Sequence, residues 1–75
     1  MKRELVDVEL LWKGNRIRRF SSEVAPDNRG DLYELFVDAI GRDPLRHGRD
    51  QEDYEIRIRI RGKARVPITY TGRRG

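Results

Sequence analysis

Tyr54-Glu55-Ile56-Arg57-Ile58-Arg59-Ile60-Arg61 alternates without a break between apolar and charged side chains. In an extended chain successive side chains point to opposite faces. Tyr54, Ile56, Ile58 and Ile60 therefore share one face, and Glu55 with Arg57, Arg59 and Arg61 the other. A helix would scatter the same residues around its circumference, so the segment reads as a half-buried strand. Such a strand is stable only if something covers its apolar face, and the cover has to come from the rest of the chain.

Toward the C-terminus, Gly62-Lys63 has the chemistry of a two-residue turn of type II′. Val66, Ile68 and Tyr70 continue the alternation as a further strand, in which Pro67 argues for a sheet edge or a locally unpaired N–H. Toward the N-terminus, residues 42–52 are polar and without periodicity, the composition of a loop. Before them, Leu32, Leu35, Phe36, Ala39 and Ile40 recur at i, i+3, i+4, i+7 and i+8, the spacing of an amphipathic helix. Asp31 followed by Glu34 predicts a capping box at its start, and Gly41 a C-terminal stop. Val6, Val8, Leu10 and Trp12 alternate with Asp7, Glu9 and Leu11, a second half-buried strand. Lys13-Gly14-Asn15 supplies residues that accept the positive φ of a tight hairpin. The return strand, about Arg16 to Val24, carries Ile17, Phe20 and Val24. These do not share one parity, which predicts a bulge or bend between Ile17 and Phe20.

The order is β-β-α-β-β. This is an α+β domain with a four-stranded mixed or antiparallel sheet and one helix packed on one face, leaving the Arg57/Arg59/Arg61 face open to water. The chain has 75 residues, 36 % of them hydrophobic and 40 % charged, with no cysteine and one histidine. That length predicts a single domain, residues 1–71, with 72–75 as a flexible basic tail. Without cysteine there is no disulfide framework or thiolate chemistry, and one histidine excludes most zinc sites and triads. No enzyme activity and no cofactor are expected. A charge every few residues at the N-terminus, in place of an apolar run, predicts a cytoplasmic protein.

Charge is unevenly placed. Residues 1–37 carry seven basic and seven acidic side chains, and residues 38–53 carry three and five. Residues 54–75 carry seven basic against Glu55 alone, net +6, so all the excess behind the chain's +4 lies in the last third. Arginine, which outnumbers lysine 14 to 3, has a planar fork suited to phosphates and carboxylates, although a GC-rich genome enriches it equally.

The chain also resembles the ubiquitin-like, or β-grasp, family. The resemblance lies in the Gly-containing turn Trp12-Lys13-Gly14-Asn15 and in the exit Glu23-Val24-Ala25-Pro26-Asp27 from the second strand into the helix. After the helix a long loop leads to two further strands and an Arg-rich, glycine-terminated tail, which ends in one glycine where the family's modifiers usually end in two. The resemblance implies a sheet of order 2-1-4-3 with the first and last strands parallel at its centre. It also implies a modifier or interaction module whose tail, Gly72-Arg73-Arg74-Gly75, is handled by an adenylating or conjugating enzyme.

Other features can be weighed directly. Arg57, Arg59 and Arg61, about 7 Å apart along a strand, form a basic row that Arg65, with Arg16 or Arg18, would extend. Such a row fits a nucleic-acid backbone, making a small basic nucleic-acid-binding or polymerase- or nuclease-associated adaptor the alternative. Against this, no aromatic residue falls on that face for stacking, and charge also protects an edge strand or pairs with Asp7 and Glu9 across strands. His47 lies near Asp43, Asp50 and Asp53, but nothing in the spacing enforces a metal site. Leu11, on the open sheet face, and Tyr33 and Val37, on the flank of the helix, are candidate partner contacts. A structural subunit that assembles through its sheet edges is a third reading.

Overall fold

The period-2 segment forms the third of four strands. In the computed structural model, which describes residues 3–62 and 67–72, the elements are β1 (Glu4–Trp12), β2 (Asn15–Val24), α1 (Arg29–Gly41), β3 (Tyr54–Ile60) and β4 (Ile68–Thr71). Single 3-10 turns at Arg46–Gly48 and Gln51–Asp53 shape the connection from α1 to β3.

The sheet is antiparallel throughout, in the order β2-β1-β3-β4. This departs from the centre that the family resemblance implies: β1 lies beside β3, antiparallel, and not parallel to β4. The apolar faces explain the choice. Val6, Val8 and Leu10 on β1 stand directly opposite Ile60, Ile58 and Ile56 on β3, three rows of fully or almost fully buried aliphatic pairs. β4 offers only Ile68 and Tyr70 to that face. The longer apolar strand takes the centre, and the short one next to Pro67 takes the edge, where a missing N–H costs nothing. The arginine-bearing strand is therefore interior, and edge protection does not account for its charges.

The first hairpin turns at Lys13 and Gly14, with φ of 49° and 83°, and Asn15 already pairs with Trp12. Lysine, not asparagine, takes the left-handed conformation. Its N–H donates to the Asp53 carbonyl (2.9 Å) and its ammonium lies 4.8 Å from the Trp12 ring centre, two contacts that hold it there. The parity conflict on β2 is resolved at Ile17: Leu10 faces Arg18 and Leu11 faces Arg16, leaving Ile17 as the extra residue of a bulge. That bulge lets Ile17 and Phe20 both pack against the core.

α1 starts a turn earlier than the Asp31–Glu34 pattern suggests. Asn28 is the N-cap, and its side chain accepts the Asp31 N–H (3.2 Å); the Asp31 carboxylate reaches back to the Ala25 N–H (3.1 Å). Nor does Gly41 act as a left-handed stop. It is the last helical residue, and Arg42 closes the helix in the right-handed region, with Pro44 blocking continuation. Leu32, Leu35, Phe36 and Ala39 are buried against the sheet. Burying each of the larger ones stabilises the fold by roughly 1.5–3 kcal/mol.

Gly62 has the positive φ (76°) that its turn requires, while Lys63 lies outside the described residues. At the C-terminal end, Gly72 belongs to the fold and not to a free tail. Its N–H donates to the Tyr54 carbonyl (3.4 Å), and a Cβ there would overlap the Gln51 carbonyl oxygen and lie 3.1 Å from the Phe36 ring. Gly72→Ala is accordingly expected to destabilise the domain by about 1–3 kcal/mol. A urea melt would show this as a lower midpoint; an unchanged midpoint would mean that Gly72 is not packed.

Candidate interaction surfaces

On the face away from α1, odd-numbered residues of β1 and β3 stand side by side with Arg16, Arg19, Ser21 and Glu23 of β2. The result is a chequered ionic surface. Arg16 pairs with Glu9 (2.9 Å), Arg57 with Glu55 (3.1 Å) and Arg61 with Asp7 (3.0 Å). Ser21 ties into the last pair, donating its hydroxyl to Asp7 (3.2 Å) and accepting from Arg61 (2.9 Å). The hydrogen bond from Arg61 holds the Asp7 carboxyl below its ordinary value, and that from Arg16 does the same for Glu9. Arg19 and Arg59, both exposed, pair with no acid among the described residues; each stands opposite one, Glu9 and Asp7 respectively. Arg18 points to the opposite side of the sheet, and Arg65 lies outside the described residues.

Leu11 is not available to a partner. Although on the open face it is only 4 % exposed, flanked by Arg16 on β2 and Glu55 on β3, whose long side chains leave it little contact with water. Tyr33 and Val37 are where the helical spacing puts them, 50 % and 47 % exposed. Gly72 is packed, and Arg73, Arg74 and Gly75 lie outside the described residues.

The loop after α1 contains a cluster that the sequence patterns do not reveal. Asp43, 3 % exposed, accepts hydrogen bonds from the Tyr54 hydroxyl, the Leu45 N–H (3.0 Å) and Arg49 (3.1 Å). Arg49 in turn stacks its guanidinium on the Trp12 ring at 4.1 Å. Burial pushes the Asp43 carboxyl upward, but its donors outweigh that and leave it below its ordinary value. Burial, then the neighbouring carboxylate, pushes Tyr54 up to about 12. The available signal was Tyr54 itself, because a tyrosine on an apolar face needs a partner for its hydroxyl. His47 is exposed in this loop, and no group of three or more His, Cys, Asp or Glu side chains converges among the described residues.

Among the described residues no helix is long and apolar enough to cross a membrane. No family model, curated protein or solved structure matches the chain.

The cluster dictates a pH response at both ends. The lowered Asp43 contributes stability above its ordinary value near 3.8 that is lost as pH falls below it. The raised Tyr54 contributes stability below its ordinary value of 10 that is lost as pH rises toward 12. Tyr54→Phe is expected to remove a phenolate step near 12 from an absorbance titration. It should also destabilise the fold by about 1–3 kcal/mol by depriving Asp43 of a donor. A step near 12 that persists in this variant would assign it to another tyrosine.

Proposed function

We propose that the chain is a non-catalytic, cytoplasmic protein-interaction module that presents its open sheet face to a protein partner. The observation behind this reading is the pattern of charge on that face. Among the described residues Arg19 and Arg59 are exposed and form no ion pair, whereas Asp7, Glu9 and Glu55 lie between and beside the arginines. A partner with carboxylates placed for those two arginines, and basic groups for the intervening acids, gains from every column; like charges out of register would be penalised.

The same pattern favours protein over nucleic acid. A phosphate backbone presents only negative charge and would meet the acids as well as the arginines. The face also lacks an aromatic side chain for base stacking among the described residues. The ubiquitin-like form of the function, with Gly72–Gly75 passed to a conjugating enzyme, has less support. Gly72 donates to the Tyr54 carbonyl and packs against Gln51, and β1 has β3 and not β4 as its neighbour.

Arg19→Gln combined with Arg59→Gln removes the two unpaired charges without breaking an ion pair among the described residues, so the melting temperature should hold. Cross-linking in a host extract should then lose the proteins that the wild-type chain captures through this face. Capture of the same set by the variant would remove the face from consideration. Labelled single-stranded DNA and RNA should bind the wild type no more tightly than about 10 µM in low salt; tight binding with a salt slope of several units would favour the nucleic-acid adaptor.

A further inference from the structure

The two edges of the sheet differ in kind. β2 carries Arg16, Arg18, Arg19 and Glu23, charge of the sort that keeps an edge from pairing with another strand. β4, at the other edge, is Ile68-Thr69-Tyr70-Thr71, with no charge and no proline. The hydrogen bond from the Gly72 N–H to the Tyr54 carbonyl sets the phase of the β3–β4 ladder. Counting back in twos, Tyr70 and Ile68 also turn their backbone groups toward β3, and Thr69 and Thr71 turn theirs outward. Each of these threonines offers one donor and one acceptor to the open edge.

The helix is lopsided in the same sense. Asp31, Glu34 and Asp38 stand on the flank that lines a cleft with Ser22, Glu23 and Val24 of β2. On the other flank Phe36 packs against Tyr70 of β4, ring centres 5.3 Å apart. Continuing round the helix from Phe36, away from the acids, come the exposed Tyr33 and Val37. Among the described residues one side of the domain is charged in both layers; the other has an uncharged strand below and, above it, a helix flank of Tyr33 and Val37 with Arg29 one turn before them.

We infer that the chain pairs with a second copy of itself through β4, antiparallel, about a two-fold axis perpendicular to the sheet. A two-fold contact requires a register that maps onto itself while keeping the faces aligned. Tyr70 opposite Tyr70 of the second copy satisfies both conditions. It sets Thr69 of each chain against Thr71 of the other, so that every outward donor meets an outward acceptor. Both helices then lie on one face of the joined sheet, with the Tyr33 and Val37 flanks turned to the axis. A second copy brings the same uncharged Ile68–Thr71 strand, its outward donors and acceptors at the matching spacing, and the same Tyr33 and Val37 flank. The inference stands apart from the function proposed for the open face, which remains uncovered in such a dimer.

A four-residue seam makes a weak dimer, with a dissociation constant on the order of 100 µM. Sedimentation of the full chain from about 10 µM to about 1 mM should show the mass rising from 8.9 kDa toward twice that value. Thr69→Pro deletes an outward donor, leaves the bonds to β3 in place and suits an edge strand. It should weaken self-association by about tenfold or more, two hydrogen bonds being lost per dimer. Tyr33→Lys with Val37→Lys, exposed positions that fold without difficulty, should do the same and carries the test if the proline variant melts. Amide exchange supplies a separate readout: the Thr69 and Thr71 amides should slow with concentration, while those of Arg19 and Ser21 on the β2 edge do not. A wild-type mass that stays at 8.9 kDa throughout overturns the inference, as does a dimer that survives both sets of substitutions.

Discussion

One thirteen-residue helix has to cover the apolar face of a four-stranded sheet, and most of the molecule follows from that constraint. The burial available is a single layer: Val6, Val8 and Leu10 against Ile60, Ile58 and Ile56, closed from above by Leu32, Leu35, Phe36 and Ala39. Phe36 sits at its centre without solvent contact, and any side chain at Gly72 would press on it. The opposite face has no second layer to hide under, so it holds mainly charged and polar side chains, with Leu11 shielded by its neighbours and Leu5 partly exposed. Arginine and carboxylate alternate there because each strand places its polar parity outward and the neighbouring strand answers in opposite charge. These exposed pairs add little to stability. What they do is give the face a fixed pattern.

The connection from α1 to β3 is held by a different kind of contact. A buried carboxylate is costly unless its oxygens are satisfied, and Asp43 has a hydroxyl, a backbone amide and a guanidinium to satisfy it. Through these three partners it joins the end of the helix to the start of β3. Through Arg49 on the Trp12 ring it joins both to the first hairpin. A polar loop of twelve residues would otherwise have little reason to adopt one path. Tyr54 also accepts the Gly72 N–H, and the Gln51 carbonyl of the same loop lies against Gly72, so the loop also bears on how the last strand ends.

Coverage by one helix leaves the domain with surfaces of different character. Among the described residues the open sheet face is ionic, with two arginines outside any ion pair; the β2 edge and its helix flank are charged; the β4 edge is uncharged, and its flank presents Tyr33 and Val37. Surfaces that differ in this way can serve different contacts at once, a partner on the face and a like chain at the edge. Neither contact requires the other, since the open face points away from the side on which the helices would meet.

Local pattern was enough for the elements themselves. The isoleucine–arginine alternation, the helical spacing from Leu32 to Ile40 and the parity conflict at Ile17 are properties of adjacent residues, and the backbone geometry of strand, helix and bulge acts at that range. Exposure of Tyr33 and Val37 and of the arginine row was legible for the same reason. The neighbour of β1 was not, because strand order depends on which distant apolar face matches best, and three aliphatic rows on β3 outweigh the two positions on β4. Leu11 lay on the expected face and was still buried, since its cover comes from side chains on two other strands. Asp43 looked like one charge among many in a polar loop; only the folded chain brings Tyr54, eleven residues away, to its carboxylate. By itself the sequence determined which residues turn inward along each element. The tertiary structure decided which elements touch, because that choice is made by packing and hydrogen bonding between residues far apart in the chain.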